Sequence, residues 1–140
     1  MNKKDTILIT LLTTLFFISN LYCQEDDESY LFKFNRIEYY APGSEYLPSV
    51  SKTLKNNTYI TVDFNQEKVI ILTYSSNNPT ESIYKIKKIN DLQDNNYYRL
   101  TCLASNYAEV IIDIKSDGKW IKRKITHNGI YHKYYNYKQY

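Results

Sequence analysis

The chain has 140 residues, 18 Lys and Arg against 15 Asp and Glu, and a formal net charge of +3. That length suits a single domain. The small net charge excludes a strongly polyelectrolyte protein, and two cysteines, Cys23 and Cys102, exclude a disulfide scaffold.

The chain opens with a basic start, Lys3 and Lys4, followed by an apolar run from Ile7 to Ile18 and a short polar stretch ending at Cys23-Gln24. This is the layout of a secretory signal peptide. The run is about a dozen residues and is interrupted by threonines, whereas a bilayer-spanning helix needs roughly 20. Residues 1–23 are therefore expected to be removed, with no transmembrane span remaining, and the mature chain to be secreted or periplasmic. A mature start at Gln24 resembles exported proteins of gram-negative bacteria. A lipoprotein anchored at Cys23 is the competing expectation, but Asn20-Leu21-Tyr22 departs from the pattern that precedes a lipidated cysteine. Cleavage before Gln24 leaves Cys102 alone, which points to a buried apolar thiol or an intermolecular bridge.

Glu25-Asp26-Asp27-Glu28 gives residues 24–30 the character of an acidic, flexible N-terminus. Residues 31–140 form one domain. Runs rich in Val, Ile, Thr and Tyr predict strands near 31–40, 58–64, 69–75, 82–89, 97–104, 108–115, 119–127 and 130–137. Between them lie Pro42-Gly43, Asn77-Asn78-Pro79, Asp94-Asn95-Asn96, Asp117-Gly118 and Asn128-Gly129. Stretch 41–57 is the one long connection, with room for a helical turn around Leu47 to Lys55. The fold class is all-β: a small antiparallel barrel, or a two-sheet sandwich, of about eight strands. The barrel would resemble the lipocalin shape, although the Gly-x-Trp signature of lipocalins is absent, so the resemblance is one of architecture.

Asp117-Gly118 and Asn128-Gly129 are the dipeptides favoured by two-residue type I′ hairpins. Such loops pair Ile114 with Ile121, Ile112 with Arg123 and Val110 with Ile125, then Ile125 with His132 and Arg123 with Tyr134. Directly paired residues share a face. Both hairpins place Val110, Ile112, Ile114, Ile121, Ile125 and Ile130 on the core side. A loop at 65–68 likewise pairs Phe64 with Val69 and Val62 with Ile71, and Tyr98, Leu100 and Cys102 share an inward face.

The opposite face carries the candidate binding residues: Trp120, Lys122, Lys124, Tyr131, Lys133, Tyr135 and Tyr137. Residues 115–140 hold seven basic residues and one acidic, against nine and thirteen in residues 24–114. Aromatic rings stack on sugars or bases, and lysines neutralise anionic groups. Export argues against an intracellular nucleic acid. The expected partners are an anionic glycan, a lipid headgroup or a protein. The bland alternative is that the tyrosines pack against neighbouring strands with the lysines laid over them.

No cofactor motif appears. His127 and His132 fall diagonally on the core side, but a zinc site needs three or four ligands and no spacing supplies them. Cys102 has no flanking motif of a thiol nucleophile. Asp63, Glu67, Glu109 and Asp113 form no arguable carboxylate pair. Asn56-Asn57-Thr58 is a formal glycosylation acceptor. The expectation is an exported, non-enzymatic binding or interaction module. The alternatives are a carrier with an apolar lumenal site or an inhibitor-type protein, with an enzyme behind these.

Overall fold

The computed structural model describes residues 28–44, 47–75 and 78–136. The signal segment with Cys23-Gln24, the acidic residues 25–27 and Tyr137 lie outside the described residues. Eight strands follow in order: β1 (Ser29–Tyr40), β2 (Val50–Asp63), β3 (Lys68–Ser75), β4 (Asn78–Leu92), β5 (Tyr97–Leu103), β6 (Glu109–Lys115), β7 (Trp120–Ile125) and β8 (Tyr131–Tyr135). Each pairs antiparallel with its neighbour in sequence, and β8 returns to pair with β1 through Arg36–Tyr135 to Tyr40–Tyr131. The sheet is thus a closed up-and-down barrel. Of the two all-β architectures expected, the barrel is the one formed.

Alternation decides what lies inside. Phe34, Ile60, Val62, Val69, Ile71, Leu100, Cys102, Val110, Ile112 and Ile121 are each at most 2 % exposed and form one core cluster. An eight-stranded barrel is just wide enough for side chains to fill its interior, and here they fill its middle. The outward positions carry Lys33, Arg36, Glu38, Arg99, Asp113, Lys122 and Lys133. This is the inverse of a bilayer-spanning barrel, which turns an apolar band outward. No helix among the described residues is long and apolar enough to cross a membrane.

Two bulges bend the wall. Phe34 pairs with Thr58 but Arg36 with Thr53, so Asn35 alone faces the four residues 54–57. The second falls at Lys87, between Ile86 and Lys88. β2 consequently begins at Val50, inside the stretch expected to be a connection. No helical turn forms there, because Val50–Thr53 find a ladder partner in β1.

The β6–β7 register is the expected one, with Ile114 opposite Ile121, Ile112 opposite Arg123 and Val110 opposite Ile125. Two other registers differ. Arg123 faces His132 and Ile121 faces Tyr134, a slip of two residues from the pairing expected at β7–β8. Val62 faces Val69, and Ile60 faces Ile71, a slip of two at β2–β3. In both cases the connection is a four-residue turn. At 126–129 the Gly129 N–H donates to the Ile125 carbonyl at 3.0 Å, and the Ile125 N–H to the Ile130 carbonyl at 3.0 Å. Gly129 adopts a positive φ of 67° whereas Asn128 does not, so the type I′ geometry is not formed. A slip of two keeps every side chain on its face, whereas a slip of one would invert the strand. The expected core side therefore survives, with Ile125 and Ile130 half-buried near its end.

Candidate functional site: the barrel mouth and its walls

One end of the barrel is formed by the start of β1, the end of β2, the start of β5, the end of β6 and the β6–β7 turn. There the packed interior gives way to a cavity of about 540 Å³. Phe32, Val62 and Ile114 line its depth, and Tyr30, Phe64 and Tyr98 its sides. Lys115, Ser116, Asp117 and Gly118 form a polar rim. Tyr30 and Phe64 meet edge to face, their centroids 5.9 Å apart, and Phe32 stacks parallel to core residue Phe34 at 6.3 Å. Tyr30 and Tyr98 remain 55 % and 42 % exposed, which marks the opening.

The turn that closes one side of the mouth depends on Gly118. Its φ is +71°, and a Cβ there would stand 3.4 Å from the Phe32 ring. The Asp117 carboxylate accepts the Lys119 N–H at 3.0 Å, and that bond, with the Lys119 ammonium at 3.1 Å, holds its pKa below the usual carboxylate range. Ser116 Oγ donates to the Asn96 carbonyl at 2.7 Å, tying this turn to the β4–β5 connection. The mouth was missed in the sequence because Phe64 was expected to pair within a strand. The two-residue slip moves it into the turn at the rim. The signal that could have found it is the cluster of aromatics at strand ends, Tyr30, Phe32, Phe64 and Tyr98.

The barrel interior holds a second arrangement. Arg123 projects to the core side, where Nη1 donates to the Tyr84 hydroxyl at 2.7 Å and Nη2 meets His132 Nδ1. Burial, with the adjacent Arg123 charge, pushes the His132 pKa down to about 4, so the ring is neutral at pH 7. Tyr39 and Tyr134 pack edge-on against that ring at 4.6 and 6.5 Å. Burial raises the Tyr134 hydroxyl to about 12. Arg123 Nε is buried and has no hydrogen-bond partner among the described residues, and neither does Thr58 Oγ1. The sequence placed Arg123 on the core side but did not single it out, because the expected register set His132 opposite Ile125.

Six of the seven expected binding residues lie together on the outer wall. Trp120 faces Tyr135, Lys122 faces Lys133, and Lys124 faces Tyr131. The rings are partly covered: the Lys122 ammonium lies 5.2 Å from the Trp120 ring and 5.8 Å from Tyr131, and Lys133 lies 5.3 Å from Tyr135. Tyr131 stacks on Tyr40 at 4.3 Å. Tyr135 and Tyr40 donate to Glu38 at 2.5 and 2.7 Å. Partial burial works to raise the Glu38 pKa, but these two hydrogen bonds with the charges of Lys133 and Arg36 outweigh it, and the carboxyl lies below its ordinary value. Asp113, which also faces Lys122 across the ladder, is held by Arg99 instead, with Nε–Oδ1 at 2.7 Å and Nη2–Oδ2 at 2.9 Å.

The remaining candidates are separated. His127 lies exposed in the 126–129 turn, away from the half-buried His132. No group of three His, Cys, Asp or Glu able to hold a metal ion occurs among the described residues. Cys102 is fully buried, and desolvation raises its thiol to about 12, leaving it protonated rather than nucleophilic. Asp63 accepts the Gln66 N–H at 2.8 Å in the β2–β3 turn, while Glu109 stands at the start of β6. Thr58 of the glycosylation triplet is fully buried.

No protein-family model, no curated protein and no solved structure matches this chain.

Proposed function

We propose that this protein is an exported, non-enzymatic binding protein that seats a small, largely apolar ligand in the mouth of its barrel. The observation that carries this reading is the aromatic-lined cavity of about 540 Å³. It falls within the usual range of small-molecule sites, about 300–1,000 Å³, and combines apolar walls with a few rim polar groups at a barrel mouth, where such sites recur. Open apolar surface of this kind is unfavourable in water unless something covers it. The protonated Cys102 and the Arg123-bound His132 support a binding role over catalysis.

A second reading is favoured by the contiguity of Trp120, Lys122, Lys124, Tyr131, Lys133 and Tyr135 on the outer wall. On it, the wall meets an anionic glycan, a lipid headgroup or a protein partner outside the cell. The lysines laid over the rings make this surface the lesser candidate, since a sugar would first have to displace them.

Titration with the neutral fluorophore N-phenyl-1-naphthylamine separates the two. Saturable binding at one site is expected. Tyr98→Glu, which puts a charge into the cavity wall at a partly exposed position, weakens it at least about tenfold, the effect of roughly 1.4 kcal/mol. The triple variant Trp120→Ala, Lys122→Ala, Lys124→Ala leaves it unchanged. Absence of saturable binding, or loss in the triple variant with none in Tyr98→Glu, overturns the mouth reading.

A further inference from the structure

The outward side chains of β1 to β4 fall into rows that run across the strands. One row is Leu31, Thr61, Ile70 and Ile83, each directly opposite the next on the ladders. Its ends are open to water, with Leu31 68 % and Ile83 51 % exposed. Single apolar residues on a surface are ordinary, whereas a contiguous exposed apolar strip marks a contact face. On the mouth side the strip is flanked by Ser29, Asp63, Lys68 and Lys85, and on the other side by Lys33, Tyr59, Leu72 and Glu81. The far wall of the barrel differs: Arg99, Asp113, Lys122, Lys133 and Glu38 make a row that is charged throughout.

The charges that flank the strip find no counter-charge within the chain. Among the described residues none of Lys33, Asp63, Lys68, Glu81 and Lys85 forms an ion pair. Asp63 and Lys68 stand opposite each other without closing one, and the Asp63 carboxylate accepts the Gln66 N–H instead. Their order is self-complementary. A two-fold axis along the strands, between β2 and β3, sets β1 against β4 of a second copy and β2 against β3. Leu31 then meets Ile83 of the second copy, and Thr61 meets Ile70. Lys33 meets Glu81, and Asp63 meets Lys68, and the symmetry repeats each of these contacts. Lys85 alone is left facing a neutral residue, Ser29. A two-fold axis across the strands does worse: it sets Leu72 against Lys68 and Tyr59 against Asp63, and keeps only the pairing of Glu81 with Lys85.

We propose that the outer face of β1 to β4 is a dimer interface, covered by a second copy of this chain related by the two-fold axis along the strands. The mixed signs around the strip favour this occupant over a polyanion or an anionic membrane, which would press like charge against Asp63 and Glu81. The strip spans three strand spacings, about 14 Å, and the wall is convex, so the contact is small and the dimer belongs with weak interfaces. The proposal is independent of the mouth reading, because Tyr30, Phe32 and Val62 of the mouth alternate with the strip residues and project to the inner face.

The test is sedimentation equilibrium of the purified protein at low ionic strength. A monomer–dimer equilibrium with a Kd of about 10–300 μM is expected. Ile83→Lys, at an exposed position, raises that Kd at least about tenfold. Lys33→Glu and Glu81→Lys, also at exposed positions, each place like charges together at both symmetric contacts and weaken self-association to a similar degree. Mixed in equal amounts, these two variants restore attraction at both contacts, and a heterodimer with a Kd within about threefold of the wild-type value is expected. Its recovery also reports that both variants are folded. Lys122→Glu, on the far wall, leaves the Kd within about twofold. A wild-type protein that stays monomeric up to about 1 mM overturns the proposal without recourse to any variant. So does a dimer that Ile83→Lys leaves intact, a mixture of the two charge variants that stays monomeric while circular dichroism shows both folded, or a dimer lost in Lys122→Glu.

Discussion

The two faces of one wall, from β5 through β8 to β1, treat charge in opposite ways. Outside, charge is abundant and answered: Arg99 grips Asp113, the lysines lie over aromatic rings, and Glu38 accepts two tyrosine hydroxyls. Inside, among the described residues, the half-buried Arg123 guanidinium meets the Tyr84 hydroxyl and the His132 ring. The difference teaches that the setting of a charge, more than its presence, decides what it contributes. A surface pair sits in water and is worth roughly 0–1 kcal/mol, so its presence says little. An interior charge acts in a much lower dielectric, where each unanswered group matters more.

Three substitutions or conditions sharpen this contrast. The largest effect belongs to the apolar interior. Phe34 is 1 % exposed and stacks on Phe32, and Phe34→Ala is expected to cost about 3–5 kcal/mol. Urea unfolding followed by circular dichroism reads this directly, and a loss under about 1 kcal/mol would mean that the barrel middle is not packed.

The next effect is in pH. His132 is neutral in the fold, with its pKa lowered from 6.5 to about 4 by burial and by Arg123. Arg123 on β7, Tyr39 on β1 and Tyr134 on β8 are the charged and titratable groups packed against it. The unfolded chain takes up a proton on this residue at a higher pH than the folded one. Stability from this group is therefore present above pH 6.5 and is lost as pH falls towards 4. Discounted for solvent screening of a half-buried ring, the loss is about 1–2 kcal/mol. Urea midpoints at pH 7 and pH 4.5 measure it, with His132→Phe flattening this part of the slope; an equal slope in the variant would place the titration elsewhere.

The smallest effect is on the outside. Asp113→Asn breaks the bidentate pair with Arg99 and is expected to cost under about 1 kcal/mol, with most of that loss screened in 1 M salt. Thermal unfolding at low and high salt checks it. A larger, salt-independent cost would make the outer wall as demanding as the inner one.

The outward candidate residues were legible because β7 and β8 alternate strictly, so Trp120, Lys122 and Lys124 share a face whichever even register is chosen. The core side was legible for the same reason: Val110, Ile112, Ile114 and Ile121 are all buried. The connections were not. Asn-Gly and Asp-Gly point to a tight turn, but the longer turn at 126–129 satisfies Ile125 through two backbone bonds and lets Tyr134 pack opposite Ile121 in the core. That slip sets His132 beside Arg123. The matching slip at 64–67 brings Phe64 to the rim. The strand Val50–Thr53 was read as loop because Val50-Ser51-Lys52-Thr53 has little apolar alternation of its own, and only the β1 ladder recruits it.

The sequence by itself determined the all-β class, the number of strands and which face of β5, β6 and β7 turns inward, because those follow from a two-residue period that no even slip disturbs. Tertiary structure alone decided closure of the barrel, since the β1–β8 pairing joins segments about a hundred residues apart and leaves no local trace. It also decided the open mouth and the company of Arg123. Both arise where side chains from several non-adjacent strands converge, and the exact register of each ladder, rather than its parity, sets which of them meet.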